Sequence, residues 1–153
     1  MKRILFVCLG NICRSPAAEA VLRAKAAARG LDIHVGSAGT GGWHKGDGAD
    51  ARMIKAAARR GYKLDRHRAR QVDLADFYGF DVLLAMDLNN HGDLLAMAPP
   101  DRTCDIRLFL DFADTAERET PDPYYGSDDG FDAVLDLLET GAEAFLDHVE
   151  ESE

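Results

Sequence analysis

A chain of 153 residues, 46% hydrophobic and 29% charged, is long enough to bury one core and too short for two independent ones, and its composition excludes a disordered or fibrous protein. The formal charge of −9 hides a polarity: residues 1–70 carry 15 Lys and Arg against 5 Asp and Glu, whereas residues 71–153 carry 3 against 22. The two halves are expected to fold together and offset each other, and the acidic bulk argues against loose nucleic-acid binding and requires any anion site to be built locally.

No apolar run approaches the roughly 18 residues of a membrane span, so no membrane partner is expected. The opening Met1 to Gly10 has a short apolar run and no small-residue cleavage site, unlike a signal peptide. Three cysteines do not make a disulfide framework, which points to a reducing cytoplasm.

Taken in chain order, Lys2 to Cys8 is a short apolar run bounded by Gly10-Asn11 and reads as a buried strand of a parallel sheet. Ser15-Pro16 opens an alanine-rich helix to Arg29: serine is a favoured cap, proline a favoured first helical residue, and Gly30 a stop. A second strand is predicted over Leu31 to Ser37, followed by a Gly-rich loop from Gly39 to Gly48 and a helix from Asp50 to Arg60 closed by Gly61. Phe80 to Met86 reads as a third strand, Leu88 to Met97 as a helix ended by Pro99-Pro100, and Ile106 to Leu110 as a short fourth strand. The last element, Asp128 to Val149, has apolar residues at 131, 134, 135, 138, 142, 145, 146 and 149, the steps of an amphipathic helix, with Asp128-Asp129 as its cap. Strands alternating with helices imply right-handed crossovers. The predicted fold is α/β: a single three-layer domain over residues 1–153, with a central twisted four-stranded parallel sheet flanked by helices on both faces.

In such sheets ligands gather at the carboxyl ends of strands, beside helix N-termini. The first such place is Cys8-Leu9-Gly10-Asn11-Ile12-Cys13-Arg14-Ser15-Pro16. A tight turn from strand to helix points successive backbone N–H groups inward as an anion nest, so Leu9, Gly10, Asn11, Ile12, Cys13, Arg14 and Ser15 are candidate phosphate-binding residues. Gly10 supplies backbone freedom, Asn11 tolerates the left-handed conformation, and Arg14 adds a planar fork of donors matched to phosphate oxygens. A thiol at Cys8, under a helix N-terminus and near Arg14, has its thiolate favoured. A nucleophile at the floor of an oxyanion cup suits phosphoryl transfer through a cysteinyl-phosphate. Other uses of the cysteines are a buried packing role or zinc. Cys8 and Cys13 would then need two more ligands from Cys104 and the scattered His34, His44, His67, His91 and His148.

Breaking a phosphate monoester leaves an oxygen that needs a proton. In Asp122-Pro123-Tyr124-Tyr125-Gly126, Pro123 stiffens the chain around a carboxyl able to give that proton and then activate water; the alternative is a plain surface turn. Trp43, Tyr124 and Tyr125 have polar, Gly-rich flanks, which suit a pocket rim, and with Ile12 they would favour a flat phenol ring.

These segments resemble the low-molecular-weight protein tyrosine phosphatases, and bacterial members in particular. Cys8 to Pro16 looks like the family's Cys-x5-Arg-Ser loop, and Ser37-Ala38-Gly39-Thr40 with Trp43 is similar to its second loop. His67-Arg68-Ala69-Arg70-Gln71 resembles its middle segment, Ala85-Met86-Asp87 its third strand end, and Asp122 to Gly126 its general-acid loop. The resemblance implies hydrolysis of phosphotyrosine in proteins, with Cys8 as nucleophile, Arg14 binding phosphate and Asp122 as general acid and base, without cofactor or metal. It implies that Asn11, Ser15, Ser37 and His67 brace the loop and that Ser15 helps hold Cys8 as thiolate. It also implies that Trp43 and Tyr124 flank the substrate ring and that Cys13 traps oxidised Cys8 as a reversible disulfide. Asp87 either orients Arg14 or caps the next helix. Phosphate and other oxyanions are expected as inhibitors, and a bacterial tyrosine kinase as a partner. One departure stands out: the family's second loop carries prolines before its Asp-x-Arg, whereas this chain reads Gly46-Asp47-Gly48-Ala49-Asp50-Ala51-Arg52, which implies a looser rim.

Three other readings share the loop. Phosphoarginine hydrolysis goes with Thr where this chain has Ile12, whose branched apolar side chain would crowd a guanidinium. Arsenate reduction needs two further close cysteines, and only Cys104 lies outside the loop. A non-catalytic phosphate-binding module would have no use for Cys8 or Asp122.

Overall fold

β1 (Lys2–Cys8) is the apolar run that opens the chain, and its side chains divide between two cores because successive strand residues point to opposite faces. In the computed structural model, which describes residues 2–124 and 129–152, there follow α1 (Arg14–Ala28), β2 (Ile33–Gly39), α2 (Ala51–Ala58), the short α3 (Asp76–Gly79), β3 (Val82–Ala85), α4 (Leu88–Met97), β4 (Asp105–Leu108), a 3-10 turn (Phe109–Phe112) and α5 (Asp129–Glu151). The four strands pair in parallel in the order β2-β1-β3-β4. Ile4, Phe6, Cys8, Leu84 and Met86 share one core with residues of α1, α2 and α5. Leu5, Val7, Leu83 and Ala85 share the other with Phe77, Leu94, Cys104 and Ile106. Both faces are therefore covered, which is why β1 reads as a continuous apolar run. Among the described residues no helix is long and apolar enough to cross a membrane.

The strand order reverses at β1, which has β2 on one side and β3 on the other. At that switch point the crossovers leave in opposite directions and open a crevice beyond the strand's carboxyl end, where Cys8 lies.

Several element ends differ from expectation. β2 runs two residues later than predicted, because Gly30, at φ 70°, and Leu31 still belong to the end of α1: their N–H groups bond the carbonyls of Ala27 and Ala26 at 3.1 and 3.0 Å. The loop end of α1 also differs. The helix begins at Arg14, its cap position is Cys13 with no side-chain bond, and Ser15 lies inside the first turn. Its hydroxyl is turned toward Cys8 and is not a cap. Residues 109 and 110, predicted as strand, leave the sheet for the 3-10 turn, and α3 has no counterpart in the predicted elements. The predicted helix cap at Asp128 lies outside the described residues.

The charge polarity resolves into contacts between halves. Arg29 at the end of α1 meets Glu143 and Asp147 of α5 at 3.2 and 2.9 Å, and Arg60 after α2 meets Asp136 at 2.9 Å and Glu139.

Candidate active site

Six residues separate the sulfur of Cys8 from the hydroxyl of Ser15, yet the turn brings them to 2.9 Å. The turn depends on Asn11, whose φ of 58° lies in the left-handed region that asparagine tolerates better than other side chains. Asn11 is fully buried and uses every polar group it has. Its backbone N–H points to Cys8 Sγ at 3.3 Å. Its Nδ2 donates to Ser15 Oγ at 2.8 Å and to Ser37 Oγ at 3.0 Å. Its Oδ1 accepts the backbone N–H of Arg70 at 2.9 Å, and its carbonyl accepts from His67 Nε2 at 2.7 Å. Because a carbonyl only accepts, that last bond puts the His67 proton on Nε2. Ser15 Oγ accepts from Asn11, so its own proton is free to point at Sγ, which is nearer at 2.9 Å than the Ala38 carbonyl at 3.5 Å. An N–H and an O–H thus converge on the sulfur.

Gly10 serves close approach, not backbone freedom: its φ is not positive, and a Cβ there would lie 3.0 Å from the His44 ring. Arg14, also buried, gives Nη1 to Asp87 Oδ2 at 2.6 Å and to the Thr120 carbonyl at 3.0 Å. Its Nη2 lies 3.6 Å from Asp122. Burial works against the guanidinium charge, but Cys8, Asp87 and Asp122 outweigh it and push the pKa of Arg14 above its ordinary value. Asp87 takes both parts left open above: Oδ2 holds Arg14 while Oδ1 caps α4 by accepting the N–H of Asn90 at 2.7 Å.

The residues from Gly39 onward are joined directly to the cysteine loop. Thr40 and Gly41 donate to the carbonyls of Cys8 and Leu9 at 2.9 Å each. A Cβ on Gly39 would lie 2.7 Å from the Leu9 carbonyl, so only glycine permits this approach. The rim without prolines is tied by other means: Gly46 N to Ala69 O and Ala69 N to Asp47 O at 2.8 Å each, and Asp50 N to Ile12 O at 2.8 Å. Two of these bonds join the rim to Ala69 and one joins it to Ile12 of the cysteine loop.

Arg52 completes the wall. Its Nε and Nη2 bond the Asp50 carboxylate at 3.1 and 3.0 Å, Nη2 continues to the Tyr124 carbonyl at 2.8 Å, and the guanidinium lies over the Phe131 ring at 4.7 Å. Burial raises the pKa of Asp50, but the bonds from Arg52 outweigh it and hold the carboxyl below the usual range. Two residues before Tyr124, Asp122 Oδ1 accepts the Tyr124 N–H at 3.1 Å.

The result is a cavity of about 320 Å³ lined by Cys8, Leu9, Gly10, Ile12, Cys13, Arg14, Trp43, His44, Asp122 and Tyr124. Of the seven candidate phosphate-binding residues, Asn11 and Ser15 stand behind the wall, with Ser37, His67 and Asp87, and the other five face the cavity. Trp43 is 73% exposed and lies against Gly41. Tyr125 lies outside the described residues. Cys13 is pushed upward by burial and by the charges of Asp50, Asp122 and Cys8, so it is held as a neutral thiol. Cys104 belongs to the core on the other face of the sheet from Cys8.

Sequence reasoning missed His44, Arg52, Arg70 and Thr120. His44 follows Trp43 directly and faces Tyr124 with 6.1 Å between ring centroids, so the aromatic rim could have been extended by one residue. The pair Asp50 and Arg52 could have been read as a local cap with its own counter-ion. Thr120 and Arg70 act through backbone groups and leave no signal in side-chain type.

Residues 3–153 match the family described as low molecular weight phosphotyrosine protein phosphatase. A putative low molecular weight protein-tyrosine-phosphatase of Synechocystis is 45% identical over 90% of this chain and 89% of its own. A low molecular weight protein-tyrosine-phosphatase of Streptomyces coelicolor is 42% identical over 97% and 94%. Among solved structures, a protein tyrosine phosphatase of Entamoeba histolytica superposes with a TM-score of 0.95 at 42% identity over 99% of both chains. A Drosophila arginine phosphatase gives a TM-score of 0.92 at 37% identity over 97% and 98%. Vibrio vulnificus Wzb in complex with benzylphosphonate gives 0.83 at 29% over 96% and 98%.

Proposed function

The chain belongs to the low molecular weight phosphotyrosine protein phosphatases, and on that premise we propose that it hydrolyses phosphotyrosine in proteins at the cavity above Cys8. The observation that carries this reading is the convergence of Cys8, Arg14 and Asp122 on one cavity walled by Trp43 and Tyr124. Cys8 attacks phosphorus, the S–P bond forms as the bond to the phenol oxygen breaks, and Asp122 gives its proton to that oxygen. Water then attacks the cysteinyl-phosphate, passes a proton to Asp122 and releases phosphate, returning the thiolate. Arg14, held by Asp87, and the N–H groups of residues 9–15 supply the positive field for the phosphoryl oxygens. Asn11, Ser15, Ser37 and His67 keep that field in register by the bonds behind the wall. Trp43 and Tyr124 flank the ring. The aryl-bearing phosphonate bound by Wzb supports a phenyl group beside the phosphate.

We further read Cys13 as the resolving thiol for Cys8. A peroxide oxidises Cys8 to the sulfenic acid, and the neutral Cys13 thiol condenses with it, forming the S–S bond and releasing water. The reading includes a reducing cytoplasm, supported by three free, buried cysteines, and a bacterial tyrosine kinase as partner, by analogy with bacterial members of the family.

The test is turnover of p-nitrophenyl phosphate with detection of the trapped phosphoenzyme. Cys8→Ser is expected to abolish both, and Asp122→Asn to lower kcat by about 10²–10⁴. Turnover retained by Cys8→Ser overturns the assignment.

A second reading, in which the substrate is phosphoarginine, is not favoured by the family and relatives matched, although a Drosophila arginine phosphatase is among the structural neighbours. Ile12 faces the cavity and decides between them: Ile12→Thr is expected to lower activity on phosphotyrosine peptides and raise it on phosphoarginine peptides. Wild-type preference for phosphoarginine would establish the second reading instead.

A further inference from the structure

A second cavity, of about 170 Å³, opens beside the first turns of α1 and shares no lining residue with the cavity above Cys8. Pro16, Ala20 and the buried Leu64 contribute its apolar lining. Its polar side chains are basic with one exception: Arg23, Lys63, Arg66 and His67 against Glu19. That carboxylate is already engaged, since Arg23 Nη2 lies 2.6 Å from Glu19 Oε2 and also donates to the Val35 carbonyl at 3.0 Å. Asp65 falls between Lys63 and Arg66 in sequence but forms no ion pair with either, and among the described residues no carboxylate oxygen comes within 4.0 Å of Lys63 or Arg66. Lys63 and Arg66 are thus two cations without a carboxylate partner among the described residues, and they line one concavity.

We propose that this cavity is a second anion site, separate from the catalytic one, that takes a phosphate group. Concave walls concentrate the field of the cations that line them, as a flat surface does not. Arg66 offers a planar fork, Lys63 a compact charge and three donors, and together they suit a tetrahedral dianion better than a single carboxylate. His67 lies on this rim and also bonds the Asn11 carbonyl at 2.7 Å, so the site adjoins the brace of the cysteine loop.

The experiment is an amide NMR titration with inorganic pyrophosphate, run on the wild type and on Lys63→Gln/Arg66→Gln, both exposed positions where glutamine keeps the stem. In the wild type the amides of residues 19–23 and 63–67 are expected to shift saturably, and more weakly as salt is raised. The double variant is expected to bind there about tenfold more weakly, while shifts at residues 8–15 persist. Pocket shifts without loop shifts would support this site while counting against the catalytic reading, so the two stand or fall separately. A parallel titration with O-phosphoserine separates sources: tighter pyrophosphate binding assigns a free polyphosphate, tighter phosphoserine binding a phosphorylated chain. Absence of pocket shifts in the wild type, or equal shifts in the double variant, overturns the proposal.

Discussion

Two arginines govern the geometry around Cys8, and they do so by different means. Arg14 is buried and locked by Asp87 and the Thr120 carbonyl, which leaves Nη2 on the side of Asp122. Arg52 stands in the outer wall and joins the Asp50 carboxylate to the Tyr124 carbonyl, thereby tethering the segment that carries Asp122. A lysine loses the paired Nε and Nη2 bonds to the Asp50 carboxylate and the planar group over the Phe131 ring, which together fix the position of the bridge. Arg52→Lys is therefore expected to misplace the proton donor and leave the nucleophile intact. With aryl phosphates of increasing leaving-group pKa, kcat should fall about tenfold or more for the poorest leaving group and far less for p-nitrophenol. An equal loss across the series would show that Arg52 supports the fold alone.

At the scale of elements, the amphipathic period of α5 was legible because each apolar residue it predicts is buried, from Phe131 to Val149. Gly141 carries information that the period omits. The helix passes so close to the 3-10 turn that a Cβ at 141 would lie 2.6 Å from the Phe109 ring and 3.2 Å from Leu110. Phe109 cannot retreat readily, since its ring already meets Phe6 edge-on at 5.0 Å. Alanine gains about 1 kcal/mol of helix propensity over glycine, but overpacking a close contact costs about 1–3 kcal/mol. Gly141→Ala is thus expected to lower Tm by a few degrees in a thermal melt, despite the better helix former; a raised Tm would mean that Phe109 yields. By contrast, α3 and the bridge between Gly39 and Gln71 were not legible, because both are too short to show a period.

For the whole molecule, the opposite charges of the two halves become joints between α1, α2 and α5. Tyr62 belongs to one of them and donates its hydroxyl to Glu139 at 2.6 Å. Burial, and then the bond to Glu139, push its phenol from the ordinary value of 10 up to about 12. The folded state holds this proton more tightly than the unfolded chain, so the stabilisation is complete below the ordinary value and is lost as the pH rises toward about 12. Wild-type protein is expected to be more stable than Tyr62→Phe to urea at pH 8, with the difference shrinking between pH 10 and 12. A difference that stays constant over that window would remove Tyr62 from the account.

The stretch from Cys8 to Pro16 was readable in the chain alone as strand, tight turn and helix, because those features depend on residues a few places apart. The groups that brace it come from Ser37, His67, Arg70, Asp87 and Thr120, separated from Asn11 or Arg14 by 26 to 106 positions. Family resemblance pointed to some of them, but no spacing did. Only the order of strands, with β1 between β2 and β3, brings their ends to one crevice, and hydrogen bonds between distant segments exist only after that order is made.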